Sequence, residues 1–502
     1  MRRGYERTGG AGRDGTEPAT DRMQRFGSWL SRAGLGAATA PFRGQTRRHL
    51  TRNFASIFTW QGMNYILPLI TLPYLARVLG AEPFGILGFA LSVAAYAVLV
   101  GDWGFALSAT QAVAANKHDA PALNRIIWDT FAAKALLGVI SLAVLLVLIE
   151  ALPRLHAYQG LILLAWLQVP GNLLTADWLL QGLERMGAFA LASSLGRWAV
   201  LPAMFALVHS PADLPFAVFL TSLNNIVAGA VSLFLAIRTG TIGKPTLSLA
   251  RTINAIRGSA HIFTAQASAS IYTKLNVIVV FALAGPLQGG LFVGADRLRR
   301  AAQGLVLPVN LVMYPRIAAM MGTERQQAFV WVRKLLAIQA MLTLGLAAAA
   351  WIFAPLAVHL VLGPSFAPAV RVLRAVSPIL FLEGINTVLC MQLLLPLGMR
   401  REFLLATAVP GFLSLSYMPV LAAAYGAVGG ALALCVTELL SMVFAATFLY
   451  RRGIFAHMSL AARDARSAAR GADADPGSER PPGLVFGFTR NRAPKSGDFP
   501  RG

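Results

Sequence analysis

The sequence predicts an all-α, polytopic membrane protein with about twelve transmembrane helices in two six-helix bundles around a central cavity. Apolar runs of ~17–25 residues, each long enough to cross a bilayer, follow one another from about residue 54 to 450. The 502 residues are 56% hydrophobic and 13% charged, whereas a soluble domain is about a quarter charged. A short internal repeat, described below, divides the apolar region into two halves.

Glycine, proline and charge clusters separate the apolar runs. They place the predicted helices at 54–79, 84–112, 126–149, 157–180, 187–208, 214–237, 259–283, 289–313, 330–353, 370–396, 402–424 and 427–450. The predicted domains are a basic tail (1–52), an N-terminal six-helix bundle (53–238), a cytoplasmic linker (239–258), a C-terminal six-helix bundle (259–450) and a second tail (451–502). Both tails are polar and rich in arginine, so we expect them to be disordered. They either bind anionic headgroups or only set the topology.

Positive charge in the short loops orients the helices, because cytoplasmic loops carry an excess of Lys and Arg. With both tails inside, the outer loops hold only Arg77 and Arg154. The inner loops hold Lys117, Arg125, Arg185, Arg238, Lys244, Arg251, Arg257, Arg316, Arg325, Arg333, Lys334, Arg400 and Arg401. Both termini are therefore predicted to be cytoplasmic.

A repeat relates "LGAEPFGILGFA" (79–90) to "AGPLQGGLFVGA" (284–295). At an offset of 205 residues, Gly80 aligns with Gly285 and Gly85 with Gly290. Each segment links the first two helices of a predicted half. Because six helices return the chain to the side where it started, the halves have the same orientation. They are then related by an axis along the membrane normal, with a cavity between them.

Polar side chains line one face of the first helix in each half. Gln61, Asn64 and Thr71 lie at helical spacing in the first half, and Gln266 and Ser270 do so in the second. Such stripes point inward in a membrane protein, where they either join helices together or face water.

The stretch "LFVGADRLRRAAQG" (291–304) places charge inside a predicted span. An intramembrane charge costs ~2.5–3.5 kcal/mol on insertion scales and marks a candidate functional site. Asp296 precedes Arg300 by four residues and is expected to pair with it. One acid cannot neutralise the three arginines Arg297, Arg299 and Arg300, so a net positive charge of about +2 is expected to remain. The alternative is that the arginines lie in a cytoplasmic loop. Arg197 and Lys274 add positive charge, so the cavity is expected to bind an anionic, phosphorylated substrate.

Several segments resemble the bacterial polysaccharide-biosynthesis proteins of the O-antigen flippase type, within the multidrug/oligosaccharidyl-lipid/polysaccharide exporter superfamily. The resemblance runs in order over residues 50–452, through "LPLITLPYLARVLGAEPFGILGFALS" (67–92), "GFALSATQAVA" (104–114), "DWLLQGLERMGAF" (177–189), "YTKLNVIVV" (272–280), "MYPRIA" (313–318) and "YGAVGGALALCVTE" (425–438).

The resemblance implies a flippase that moves undecaprenyl-diphosphate-linked oligosaccharides across the bacterial cytoplasmic (inner) membrane by alternating access. The oligosaccharides would serve O-antigen (lipopolysaccharide), capsule or exopolysaccharide synthesis. Arg297, Arg300 and Lys274 would hold the diphosphate, and the polar stripes would face the sugars. Arg77 would either meet the diphosphate late in the cycle or lie at the membrane interface. The candidates for ion coupling are Glu383, Glu438 and Asp177, with salt bridges as the alternative role. Expected partners are the lipid-linked substrate, the membrane, and the polymerase and other assembly proteins.

Two other functions fit the same pattern of spans. A multidrug or cation antiporter of the same fold is expected to have an acidic cavity, whereas this one is basic. A membrane glycosyl polymerase or ligase is expected to have sizeable, charged outer loops, and these are short. The sequence shows no nucleophile–base pair, phosphate loop or metal spacing. We therefore expect neither an enzyme nor a cofactor, metal or nucleic-acid partner.

Overall fold

The structure, a computed structural model, describes residues 70–461, and within that range all regular secondary structure is helical. The N half contains α1 (Ile70–Leu79), α2 (Ala81–Asp102), α3 (Phe105–Ala115), α4 (Ala120–Ala151), α5 (Pro153–His156), α6 (Gln159–Trp166), α7 (Gln168–Leu174), α8 (Asp177–Gly182), α9 (Met186–Leu207) and α10 (Leu214–Ile237). Both predicted tails, Gln61 and Asn64 lie outside the described residues.

The C half contains α11 (Leu249–Ala284), α12 (Pro286–Gln303), α13 (Leu307–Thr323), α14 (Arg325–Ile352), α15 (Ala354–Ala357), α16 (Ala369–Val376), α17 (Pro378–Thr387) and α18 (Arg400–Arg451). A π-helix at Val388–Leu394 continues α17. The backbone of Gly426 is not helical and divides α18 into two arms.

Seven helical segments in the described range are long and apolar enough to cross a membrane. Each of the twelve predicted spans overlaps helix there, and α18 covers the last two predicted spans. Other spans are broken into shorter helices, as at Trp103 and Gly104, whose positive φ angles separate α2 from α3. The chain is an all-α polytopic membrane protein.

The two segments of the predicted repeat adopt the same conformation and touch each other. Gly80 (φ 76°, ψ 175°) precedes α2, and Gly285 (φ 89°, ψ 174°) precedes α12. A Cβ atom at Gly85 would overlap the backbone of Pro286 and Gly290, and one at Gly290 would overlap that of Ala81. Only glycine allows this approach of two helix backbones, so repeat-equivalent residues meet where the halves join.

Helix α2 contacts the C half from its first turn to its last. Near its middle the ring of Phe89 stacks on Phe281 of α11 at 4.0 Å. Just beyond its last residue, Trp103 stacks on Phe263 at 3.8 Å and donates to the carbonyl of Ile256 at 3.0 Å. The surface between the halves therefore runs along α2, α11 and α12.

Helix α11 begins at Leu249, within the predicted linker 239–258. Arg251 in its first turn pairs with Asp129 of α4 at 3.0 Å and donates to the Thr246 carbonyl at 2.7 Å. These contacts hold the start of α11 against the N half, which the apolar pattern alone does not reveal.

Candidate functional site

The charged stretch of α12 is helical; Asp296 and Arg299 are buried, Arg297 is half-buried and Arg300 is exposed. Pro286 occupies the first turn of α12, where its missing N–H costs no hydrogen bond. The helix continues to Gln303 and buries the run from Gly289 to Asp296, together with Arg299. The four charged residues are therefore part of a packed helix rather than of a loop.

Asp296 is the centre of an ion-pair network. Its two carboxylate oxygens accept from Arg299 Nε at 2.9 Å and from Arg300 Nε at 2.7 Å. The second pair is the one predicted from the four-residue spacing. Arg299 also donates through Nη1 to Glu383 of α17 at 2.7 Å. A single aspartate thus orients two guanidinium groups, and the second carboxylate ties α12 to α17.

Arg297 differs from its neighbours because, among residues 70–461, it forms no ion pair. Its guanidinium lies over the ring of Phe84 in α2, 5.1 Å from the ring centroid, a favourable but weak cation–π contact. Lys274 of α11 also forms no ion pair in the described part of the chain, and the like charge of Arg300 acts on it. The four cations in this region, Lys274, Arg297, Arg299 and Arg300, outnumber the two carboxylates Asp296 and Glu383, which leaves an excess of positive charge.

Of the other predicted cations, Arg77 is separate from this network. Arg77 is exposed, donates to the carbonyl of Leu360 in the C half and packs against Gly363, whose missing side chain leaves room for it. Arg197 belongs to α9, but its side chain lies outside the described set. The structure therefore brings together Arg297, Arg300 and Lys274 but not Arg77.

The polar stripe is only partly described. Thr71 lies on α1, and Gln266 and Ser270 lie on α11. The backbone carbonyl of Ser270 accepts from the hydroxyl of Tyr96 in α2 at 3.0 Å. This part of α11 therefore lies against α2, on the surface between the halves.

A second polar cluster lies within the N half. The ammonium of Lys134, whose side chain is 2% exposed, lies 3.4 Å from Asp102 and donates to the Asn172 carbonyl at 3.0 Å. Asp177 accepts from Ser232 at 2.6 Å and from Ser193 at 3.3 Å. This cluster ties α2, α4, α7, α8, α9 and α10 together.

The two predicted glutamates have different surroundings in the C half. Glu383 is paired with Arg299, as the salt-bridge alternative expected. In the part of the chain that the structure describes, Glu438 accepts from the Asn386 amide at 3.3 Å, and that amide also donates to Ser441 at 2.9 Å. In the described residues, no group of three or more His, Cys, Asp or Glu could hold a metal ion.

Sequence reasoning did not assign a role to Arg299 or Asn386. The spacing of Asp296 and Arg299 places them one helical turn apart, and this signal could have identified the pair. The contact from Arg299 to Glu383 crosses 84 residues of sequence, and no local pattern predicts it.

Two solved structures share the fold. One is titled "Lipid II flippase MurJ, inward closed conformation"; it has a TM-score of 0.64 and 12% identity, covering 86% of this chain and 94% of that one. The other is an inward-facing multidrug resistance MATE family transporter of the MOP superfamily; it has a TM-score of 0.59 and 16% identity, covering 78% and 95%. At these identities the likeness establishes the fold alone.

Helical spans, fold and relatives together define a polytopic membrane transporter rather than an enzyme. Residues 50–321 match the family described as polysaccharide biosynthesis protein. A protein of Escherichia coli (strain K12) named "Putative O-antigen transporter" is 33% identical over 394 residues, which cover 78% of this chain and 94% of that protein. A Shigella dysenteriae protein of the same name is 27% identical, covering 79% and 98%. The chain belongs to the polysaccharide biosynthesis protein family, which confirms the resemblance seen in the sequence motifs.

Proposed function

We propose that the protein is a flippase that moves undecaprenyl-diphosphate-linked oligosaccharides across the cytoplasmic membrane by alternating access. The observation that carries the proposal is the pairing pattern on α12. Asp296 and Glu383 engage Arg299 and Arg300, whereas Arg297 has only the Phe84 ring as a partner in the described chain.

A guanidinium without a carboxylate partner is expensive inside a membrane protein, and a bound anion compensates it. The fork of an arginine matches phosphate oxygens in geometry and charge. Arg297 binds the diphosphate in this proposal, with Arg300 and Lys274 adding positive charge. The polar residues of α1 and α11 face the sugars, and both termini are cytoplasmic. Polysaccharide polymerase and other assembly proteins are the proposed partners.

The names of the two relatives support a substrate of the O-antigen type. A multidrug antiporter remains the alternative for this fold. No observation in the described residues favours it, because the site between the halves has excess positive charge, which repels cationic drugs.

The test is transport of a fluorescent undecaprenyl-diphosphate-linked sugar in proteoliposomes. We expect Arg297→Gln to lower the transport rate about 10–100-fold, because it removes a charge-assisted contact of ~1.5–3 kcal/mol. Arg297→Lys keeps the positive charge but loses the forked guanidinium, so its transport rate is expected to lie between those of the wild-type protein and Arg297→Gln.

The matched control is Arg371→Gln, an exposed arginine on α16 outside the network. It is expected to transport at the wild-type rate. If Arg297→Gln folds and transports as fast as the control, the proposed diphosphate site is wrong. If the wild-type protein moves a cationic dye and not the lipid-linked sugar, the antiporter alternative replaces the proposal.

A further inference from the structure

The residue that contacts the Arg297 guanidinium comes from the opposite half of the molecule. Phe84 lies near the start of α2, and its ring is fully buried. The guanidinium carbon of Arg297 lies over this ring, 5.1 Å from its centroid. Arg299 and Arg300 have carboxylates as partners from their own half. Arg297 therefore belongs to the C half but is held by the N half.

A ring and an anion use different parts of a guanidinium. The negative face of an aromatic ring attracts a cation placed over it, whereas the five N–H donors of a guanidinium lie in its plane. Arg297 donates none of them to the residues that the structure describes, and Asp296 already accepts from Arg299 and Arg300. The contact with Phe84 therefore fixes the guanidinium while its donors stay available to an anion.

Two glycines of α2 set the distance between Phe84 and α12. Gly85, the next residue, packs against the backbone of Gly290. One turn later, a Cβ atom at Gly88 would lie 2.9 Å from the side chain of Val293. Because neither glycine has a side chain, α2 approaches α12 closely. Larger residues at these positions would move Phe84 away from Arg297.

Phe366 supports the ring of Phe84 from the C half. The two rings meet edge to face, with centroids 5.6 Å apart and an interplanar angle of 83°. Phe366 is itself buried against Gly294, where an added Cβ would lie 3.1 Å from its ring. Gly294 precedes Arg297 by one helical turn. Phe84 is thus fixed between the outer turn at 364–366 and the guanidinium.

We propose that Phe84 is a positioning residue of an anion site to which both halves contribute. Its ring holds the Arg297 guanidinium in place, and the free donors bind a phosphate or diphosphate group. Ordering a long, flexible side chain opposes binding, so a guanidinium that is already ordered binds an anion more tightly. The site is complete only while α2 lies against α12.

The consequence for transport rests on the proposed function, whereas the positioning of Arg297 by Phe84 does not. A movement that separates α2 from α12 removes the ring from Arg297 and lowers the affinity for the diphosphate. The conformation with the two helices in contact then binds the substrate, and the conformation with the helices apart releases it.

Binding of inorganic pyrophosphate to the purified full-length protein, measured by calorimetry, tests the positioning role. Phe84→Leu keeps an apolar side chain but removes the ring, and we expect Kd to rise about 3–10-fold. Phenylalanine analogues with an increasing number of fluorine atoms, placed at position 84, keep the shape of the ring while weakening its negative face. We expect Kd to rise in steps with each added fluorine. An unchanged Kd across this series, or a wild-type protein that binds no pyrophosphate, overturns the proposal.

Phe292 is the matched control for the fluorinated series. It lies on α12, is 1% exposed and has no cation over its ring in the described part of the chain. The same analogues at position 292 are expected to leave Kd unchanged. If they raise Kd as much as those at position 84, the effect comes from packing and the proposal fails.

A second variant tests the dependence on helix approach without altering either partner. Gly85→Ala places a methyl group between α2 and α12, and we expect Kd to rise as it does in Phe84→Leu. The double variant is expected to show no further rise, because both changes remove the same contact. Gly345→Ala, with open space around it, is expected to bind as the wild-type protein does. If folded Gly85→Ala also keeps the wild-type Kd, the site does not depend on α2 and the proposal fails.

Transport measurements separate this proposal from the proposed function. If the fluorinated series raises Kd while the wild-type protein transports no lipid-linked sugar, the positioning role stands and the proposed function fails. If the wild-type protein transports and Arg297→Gln does not, but the fluorinated series changes neither Kd nor the transport rate, the positioning role fails alone.

Discussion

Lys134 and Gln339 occupy the same position in the two halves of the molecule. They are 205 residues apart, the offset of the repeat, and their helices α4 and α14 begin 205 residues apart as well. Both side chains are about 1% exposed. Lys134 forms an ion pair with Asp102, whereas the side-chain amide of Gln339 has no partner in the described structure. The same place in the fold is therefore ionic in one half and neutral in the other.

The difference extends to the helices that join the halves. Helix α2 carries Leu91, Ser92 and Ala94 at the repeat positions where α12 carries Asp296, Arg297 and Arg299. In the N half, the charged pair Lys134–Asp102 is packed among helices of that half. In the C half, the charged residues lie on α12, the helix that contacts the N half. The two halves therefore share a backbone pattern but differ in charge, and the proposed anion site lies in the half that has the charge on α12.

The largest effect is expected at Arg299. Arg299→Gln removes both ion pairs of a guanidinium that is 9% exposed and leaves Glu383 without a cation. Breaking a buried pair from one side costs about 3–5 kcal/mol, so we expect a large fall in the thermal unfolding temperature in detergent. Arg297→Gln is expected to leave this temperature nearly unchanged, because Arg297 has no ion pair to lose.

The double variant Arg299→Met/Glu383→Gln is the control for this effect. It removes a charge from each side, so most of the lost stability is expected to return. If Arg297→Gln destabilises the protein as much as Arg299→Gln, the distinction between a structural and a substrate-binding arginine is wrong.

A smaller effect is expected at the repeat pair. Lys134→Met leaves Asp102, which is 18% exposed, without its cation, and we expect a loss of about 2–3 kcal/mol. Gln339→Met replaces an amide without protein partners by an apolar side chain of similar size, and about 1 kcal/mol or less is expected. Chemical or thermal unfolding of the two variants in the same detergent measures both. Equal losses would mean that Gln339 has an equally strong partner.

The sequence predicts most of this fold because a membrane imposes a simple pattern. Apolar runs of spanning length have to be helical in lipid, and all twelve predicted spans overlap helix in the described residues. The breaks within spans were not predicted. The π-helix at Val388–Leu394 and the kink at Gly426 depend on tertiary packing, so the hydropathy pattern predicts neither of them.

The candidate site was predictable where it depends on spacing along one helix. The Asp296–Arg300 pair follows from four-residue spacing, and the structure contains it. Sequence patterns do not predict contacts between distant segments, such as that of Arg77 with Leu360, which are 283 residues apart. The single cation–π partner of Arg297, which distinguishes it from Arg299, depends on the approach of α2 to α12.

An effect smaller than that at Arg299 is expected where the halves touch as equals. A methyl group at Gly85 or Gly290 meets backbone of the other segment, and overpacking of this kind costs about 1–3 kcal/mol. The unfolding temperatures of Gly85→Ala, Gly290→Ala and the double variant are the measurement. Because both methyl groups separate the same two helices, the double variant is expected to cost less than the sum of the single variants. Gly345→Ala, on an exposed turn of α14 with open space around it, is the control and is expected to be neutral or slightly stabilising. Strict additivity of the two glycine variants would show that α2 and α12 do not pack at this crossing. The inference that repeat-equivalent glycines meet where the halves join would then be wrong.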